Sequence, residues 1–208
     1  MRVAVIITGA SGIIYGIKLV EVLSLMNHEV YVVLTKPALA VVKHECVCSE
    51  DIIAYLKRKS MGVFFDDELS SPLSSSSFNL DVVFVAPCSL RTLSDIANSR
   101  QDNLAVRVAC NALRLRRKLI LLIRETPLST IDIYNMLKAS IAGAVILPAC
   151  PAFYTRHENV EEIVDFIIGK ALDAAGIDND LYDRWTGSTP GTPLCARLFC
   201  SEDSLPSH

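Results

Sequence analysis

The chain has 208 residues, a length suited to one domain, and its 51% hydrophobic and 21% charged composition excludes a disordered chain. Lysine and arginine number 20 against 23 acidic residues, a formal net charge of −3. That balance argues against a nucleic-acid or anionic-membrane binder, because such surfaces need a basic surplus.

Val3–Thr8 is a short apolar run ended by glycine and reads as a buried strand. Ile13–Met26 follows with Ile13, Ile17, Val20 and Leu23 on one helical face. Glu29–Thr35 is a second β-branched run, and Pro37 suits the first turn of the next helix. Helical patterns then cover Ala38–Cys46 and Asp51–Lys59. Ser70–Ser77 is a polar, serine-rich stretch, readable as a flexible linker or as a ligand loop. Val82–Ala86 is a strand, and a helical pattern runs through Leu93 and Ile96. A further helix covers Leu104–Leu115 and a buried strand Lys118–Ile123. Ile131–Ala142 reads as a helix ended by Gly143, Ala144–Leu147 as a strand, and Val160–Ala175 as a long helix closed by Gly176. Strands alternating with helices imply βαβ units, a parallel sheet and right-handed crossovers. With aromatics at only 7% and aliphatics abundant, the sheet is expected to lie buried between helices. From Thr186 the composition turns to Gly, Ser, Thr and Pro, so Thr186–His208 is expected to be a mobile tail.

The seven cysteines, Cys46, Cys48, Cys88, Cys110, Cys150, Cys195 and Cys200, are odd in number and follow no secretory segment. They read as reduced thiols of a cytoplasmic protein. Cys46-x-Cys48 and the Cys195/Cys200 pair lack zinc spacing and nearby histidines, so no metal is expected. No run approaches the roughly 18 uncharged apolar residues of a membrane span. His28, His44 and His157 are isolated and read as surface or core residues.

Open α/β sheets bind ligands at the carboxyl ends of their strands, where helix N-termini point at them. Thr8-Gly9-Ala10-Ser11-Gly12 is such a junction, able to bring backbone N–H groups close to a phosphate, or to serve simply as a tight turn. Its glycines, Gly9, Gly12 and Gly16, do not match G-x-G-x-x-G, and Thr35-Lys36 offers no carboxylate for a ribose. A mononucleotide therefore fits better than a dinucleotide. At Pro87-Cys88-Ser89-Leu90-Arg91-Thr92 the hydroxyls of Ser89 and Thr92 suit a ligand, and helix capping explains them equally well. Arg124-Glu125-Thr126-Pro127-Leu128-Ser129 places two adjacent ionisable residues directly after a buried strand, where desolvation is expected and charges are usually paired or functional. Arg107, Arg114, Arg116 and Arg117 add positive charge nearby, although a solvated helix face accounts for Arg116 and Arg117. Pro148-Ala149-Cys150-Pro151-Ala152-Phe153-Tyr154 is a rigid loop that can hold Phe153 and Tyr154 over a planar or apolar ligand.

Taken in order, these loops make the sequence resemble the flavin prenyltransferase (UbiX) family, within the wider group of flavin-containing cysteine decarboxylases. Further strings carry it: Tyr15-Gly16, Asp102-Asn103-Leu104 with Arg107, Asn135-Met136-Leu137-Lys138, Gly143 to Pro148, and Arg184-Trp185. The resemblance covers Val3 to Trp185, and the Arg-Glu-Thr-Pro-Leu-Ser and Pro-Ala-Phe-Tyr strings separate prenyltransferases from the cysteine decarboxylases. It implies an α/β, three-layer Rossmann-like flavoprotein fold with a mainly parallel sheet over residues 1–185. It also implies transfer of a dimethylallyl group from its monophosphate to N5 and C6 of reduced FMN, giving prenylated FMN for UbiD-type decarboxylases.

By position, the resemblance assigns FMN contacts to Gly9, Ala10, Ser11, Thr35, Ser89, Leu90, Arg91, Thr92 and Arg124. Tyr154 and Lys170 would touch the allylic phosphate, with Arg107 and Arg114 adding charge, and Glu125 and Glu45 would be the acid/base residues. A homododecamer with sites at subunit junctions is also implied, which fits the high apolar fraction. The residues suit the chemistry, since ionising an allylic phosphate needs fixed cations at the leaving group and an apolar, π-rich surround for the carbocation. Asp66-Asp67 is followed by Glu68-Leu69-Ser70 and lacks the D-D-x-x-D spacing that holds magnesium in diphosphate prenyl enzymes.

Four positions depart from the family pattern: Ser76 replaces a glycine, Cys110 an acid, Arg114 a lysine, and Leu115 a charged residue. Two other readings stay open. An FMN-dependent decarboxylase of cysteinyl substrates would need a histidine in the first helix region, and none occurs between Met1 and Met26. A non-catalytic flavin-binding protein would be consistent with the departures.

Overall fold

The computed structural model describes residues 1–46, 49–154 and 159–187. The expected tail beyond residue 187, together with Cys48, His157, Cys195 and Cys200, lies outside these residues. Strands β1 (Arg2–Ile7), β2 (Glu29–Leu34), β3 (Gly62–Phe65), β4 (Val82–Cys88), β5 (Lys118–Ile123) and β6 (Val145–Pro148) form one sheet in the order β3-β2-β1-β4-β5-β6. Every neighbouring pair is parallel. The helices between and after them are α1 (Ile13–Leu25), α2 (Lys36–Glu45), α3 (Ser49–Lys59), α4 (Leu90–Ala97), α5 (Leu104–Arg114), α6 (Thr130–Ile141) and α7 (Val160–Ala175).

The central strands read as unbroken aliphatic runs because both their faces are covered. Val3 to Ile7 and Leu119 to Ile123 are all but inaccessible to solvent. Val3, Val5 and Ile7 join Leu19, Leu23, Ile168 and Leu172 of α1 and α7 in one core. Ala4 and Ile6 face the opposite core, with Leu93, Leu104 and Val108 of α4 and α5. Each fully buried aliphatic side chain contributes about 1.5–3 kcal/mol, so the sheet interior fixes the frame on which the loops stand.

Helix α1 lies unusually close to the sheet. A Cβ on Gly16 would stand 2.3 Å from the Ala86 carbonyl oxygen and 2.7 Å from the Ile7 side chain, so only glycine permits this approach.

The five expected strands are present, and β3 is an addition. Its four residues pair with β2 alone, at the sheet edge, and are only partly buried. The serine-rich stretch is not a flexible linker. Pro72–Ser74 and Ser76–Phe78 form two short 3-10 turns, with Ser71 and Ser75 hydroxyls accepting from Leu73 N and Ser77 N, and Leu73 is buried. Among the described residues, positive φ at a non-glycine occurs at Asn27, Asn79, Ser99 and Arg116. Ser76 therefore replaces its glycine without left-handed strain. Cys110 is buried on α5 with the Ser99 hydroxyl 4.0 Å from its sulfur, and Leu115 is an exposed helix cap.

Candidate active site

The order of strands reverses between β1 and β4, so connections leave toward opposite faces and a crevice opens at their carboxyl ends. Helices α1, α2 and α4 begin there, after the adjacent strands β1, β2 and β4. Each helix start leaves N–H groups free for caps or ligands. Thr35 Oγ1 accepts from Ala38 N at 3.3 Å, and Ser89 Oγ accepts from Thr92 N at 3.2 Å. Ser89 Oγ also donates to Thr92 Oγ1 at 3.0 Å. Below them Thr8 Oγ1 donates to Pro87 O at 2.7 Å and accepts from Ser89 N at 2.8 Å, tying the first junction to the second. Capping thus does explain the Ser89 and Thr92 hydroxyls, and Thr35 caps α2 in the same way. Arg91 is exposed and stands 3.8 Å from Asp95, one turn on.

Helix α1 has no cap of its own. Gly12 takes its N-cap position at φ 93°, a left-handed conformation that favours glycine, and offers no side chain. The missing acceptor comes from Glu45, the last residue of α2. Gly12 N donates to both Glu45 oxygens at 3.0 Å, Ile13 N donates to Oε2 at 2.9 Å, and the Ser11 hydroxyl bonds to the same carboxylate. Partial burial pushes the Glu45 carboxyl up, but Ser11, the two N–H groups and the Arg124 charge outweigh it and hold the group below its ordinary range.

Arg124, at the end of β5, reaches the same loop, its Nε donating to Ser11 O at 3.0 Å. Its charge also acts on Tyr15, whose phenol is pushed up by burial, opposed by Arg124 and assisted by Cys150. Beside Arg124 opens a cleft of about 620 Å³ lined by Glu125, Leu128, Met136, Cys150, Pro151 and Phe153. The lining is mainly apolar with one cation and one carboxylate at its edge. Glu125 is exposed, and its Oε1 accepts from Thr126 N at 3.0 Å. The desolvation expected at this position is not supplied by the chain itself, because the cleft is open on that side.

The loop after β6 carries Tyr154, whose ring lies edge-on to Trp185 at 5.3 Å and to Phe166 at 6.4 Å. Lys170, exposed on α7, holds its ammonium 5.6 Å from the Tyr182 ring. Tyr154 and Lys170 are therefore joined through one aromatic cluster. Arg107 and Arg114 are not. Both lie on α5, where Arg107 Nε donates to Ser74 O at 3.2 Å and Arg114 bonds to Asn111 and Gln101. Neither arginine is among the residues that line the cleft beside Arg124.

Sequence reasoning missed the hydrogen-bonded group formed by Asp173, Asn179, Tyr182 and Arg184. A signal existed: Asp173 sits in the last turn of α7, where a carboxylate opposes the helix dipole and calls for a cationic partner. Among the described residues no cluster of three or more His, Cys, Asp or Glu is placed to hold a metal ion, and no helix is long and apolar enough to cross a membrane.

The Flavoprotein family model matches residues 1–172. The flavin prenyltransferase UbiX of Methanocaldococcus jannaschii is 44% identical over 185 residues, covering 89% of this chain and 98% of the relative. The solved structure of AnUbiX (PadA1), in complex with FMN and dimethylallyl pyrophosphate, superposes with a TM-score of 0.85 at 38% identity, covering 89% of this chain and 97% of the other. The dodecameric FMN-dependent UbiX-like decarboxylase of Escherichia coli O157:H7 gives a TM-score of 0.85 at 34% identity over 90% of this chain and all of the other.

Proposed function

The chain belongs to the Flavoprotein family and within it to the UbiX flavin prenyltransferases, and from that membership and the geometry of the crevice we infer how its residues divide the work. It is a transferase that moves a dimethylallyl group to FMN. The observation that carries the reading is the meeting of an anion-holding helix start, the cation Arg124 and a mainly apolar cleft at one end of the sheet.

The donor set fits FMN. The N–H groups of Gly12 and Ile13 with the Ser11 hydroxyl already hold an anionic carboxylate, and three helix starts converge beside them, which suits a phosphate and a polar ring edge. We assign the holding of FMN to Gly9, Ala10, Ser11, Thr35, Ser89, Leu90, Arg91, Thr92 and Arg124. Bound in its reduced form, the flavin supplies the nucleophilic N5 and C6 positions that accept the group.

The chain's own residues do the rest. Tyr154 and Lys170 bind the phosphate of dimethylallyl monophosphate, which stabilises the leaving anion as the allylic carbon–oxygen bond lengthens. Arg124 adds positive charge from the β5 side. The apolar walls, Leu128, Met136 and Phe153, exclude water that would capture an allylic cation. Glu125 stands at the cleft edge, where its carboxylate accepts the proton released on ring closure, the departing phosphate being the other acceptor within reach of that chemistry. Glu45 steers protons at the Ser11 hydroxyl.

Arg107 and Arg114 do not line the cleft of their own chain, and we assign them to the site of a neighbouring copy. We propose a homododecamer in which the site is completed at subunit junctions. Residues 1–185 act as the FMN-binding domain, and its product passes to a UbiD-type decarboxylase in the cytoplasm. Support comes from α6, where Ile131, Tyr134, Leu137 and Ile141, spaced along one helical stripe, are 52–78% exposed. Such a continuous apolar stripe marks an association surface. The cysteines Cys46, Cys88, Cys110 and Cys150 are free, as a reducing compartment requires.

The test is direct. Purified protein with FMN, a reductant and dimethylallyl monophosphate yields a flavin heavier by one isoprene unit in mass spectrometry. Recovery of unmodified FMN, under conditions where a UbiX relative converts it, refutes the reading.

A further inference from the structure

After α7 the chain has no further helix or strand among the described residues, yet residues 179–185 are held firmly. What holds them is one carboxylate. Asp173 Oδ2 accepts from the Tyr182 hydroxyl at 2.5 Å and from one Arg184 nitrogen at 3.1 Å. Its Oδ1 accepts from the other Arg184 nitrogen at 2.8 Å and from Asn179 Nδ2 at 2.9 Å. Three side chains within six residues of the segment thus converge on a single acceptor on the helix. Bidentate, charge-assisted contacts of this kind fix geometry as well as adding energy.

The helix is shaped to receive them. A Cβ on Gly169 would meet the Tyr182 ring at 2.4 Å, so the absence of a side chain lets that ring lie against α7. Tyr182 then packs edge-on to Phe166 at 5.0 Å, beneath the ammonium of Lys170. Arg184 is followed directly by Trp185, which closes on Tyr154. The Arg184 bonds hold the Asp173 carboxyl below its ordinary range against the effect of partial burial. Burial and the Asp173 bond push the Tyr182 phenol up to about 12, so both partners keep their proton states near neutrality.

We propose that Asp173 is a positioning residue for the prenyl donor: it clamps the 179–185 segment onto α7, seating Trp185 against Tyr154 and Tyr182 beneath Lys170. Asp173 touches none of the reacting atoms and acts through Tyr182, Arg184 and the two donor-binding side chains. The proposal rests on the assignment of Tyr154 and Lys170 to the donor's phosphate.

The chain's single tryptophan makes the clamp observable apart from catalysis. In full-length protein, Asp173→Asn is expected to move Trp185 emission to longer wavelength and raise its quenching by acrylamide. The same variant raises KM for dimethylallyl monophosphate about tenfold or more, while FMN affinity and far-ultraviolet circular dichroism stay as in wild type. Asp173→Glu recovers part of both effects. Arg184→Gln, which removes the cation and keeps the carboxylate, reproduces them and serves where Asp173→Asn does not fold. Unchanged emission overturns the clamp. Changed emission with an unchanged KM overturns the positioning role, as does an equal loss of FMN affinity, which would signal general unfolding. Should wild type make no prenylated FMN, the function reading fails, and the emission experiment still decides the clamp.

Discussion

Glu45 and Asp173 share an oddity, since each is a carboxylate in the last turn of its helix, where the dipole is unfavourable to negative charge. Both are explained by partners elsewhere, the free N–H groups of α1 for Glu45 and the Arg184 guanidinium for Asp173. Glu45 carries a pH dependence of definite sign. Its carboxyl lies below its ordinary value in the folded chain, so its contribution to stability is complete above the unfolded pKa and fades as pH falls through the folded one. The stability gap between wild type and Glu45→Gln, read from urea midpoints, is therefore widest near neutrality and closes on acidification. A gap that widens on acidification contradicts the capping role. The role proposed for Glu125 is of the opposite kind, because among the described residues its carboxylate accepts from Thr126 N alone. Glu125→Gln is expected to lower kcat by about 10²–10⁴-fold with FMN binding kept, and single-turnover rates at saturating flavin check this. That Arg124 and Glu125 stand beside the cleft was legible from their place after an apolar strand. The service of Glu45 to α1 was not, because 33 residues separate it from Gly12 and only the fold joins them.

Helix α1 shows how an element's placement depends on single atoms. Gly16 lets it approach β1 and β4 so closely that an added methyl would strike the Ala86 carbonyl, a backbone group that cannot rotate away. Gly16→Ala is expected to destabilise the chain by about 1–3 kcal/mol and to weaken FMN binding, since the anion-holding start of α1 moves with the helix. Thermal denaturation with a flavin-fluorescence titration tests both. The long elements were readable because their periodicity is long: α7 spans Val160–Ala175 and ends at Gly176, as its pattern predicts. Edge strand β3 was not, because three hydrophobic residues after a glycine carry no period, and its strand state comes from pairing with β2. The serine-rich stretch misleads for a related reason. Its composition resembles a linker, but buried Leu73 and the Arg107 and Asn111 bonds to Ser74 O pin it to α5.

At the scale of the molecule, the side chains proposed for the donor's phosphate fall into two groups within one chain: Tyr154 and Lys170, joined through the aromatic cluster at α7, and Arg107 and Arg114 on α5. An assembly that brings the α5 of one copy to the cleft of another reconciles them, and the exposed α6 stripe is a surface able to drive it. Replacing Ile131 and Ile141 together by Asp is expected to reduce the particle size in light scattering. Activity falls with it, while FMN binding and circular dichroism persist. Full-size particles, or full activity from a monomer, contradict the shared site. The sequence by itself determined the alternation of strands and helices, the parallel sheet, the loops at the strands' carboxyl ends and the family, because apolar runs, caps and loop strings are local and sit at fixed spacing. Only the tertiary structure decided that Glu45 completes α1, that Asp173 holds the segment bearing Trp185, and that the arginines of α5 do not line the cleft. Each of these depends on where the closed fold sets side chains that periodicity and spacing leave undetermined: Glu45 meets Gly12 from 33 residues away, and Asp173 meets Arg184 only because the segment after α7 folds back along the helix.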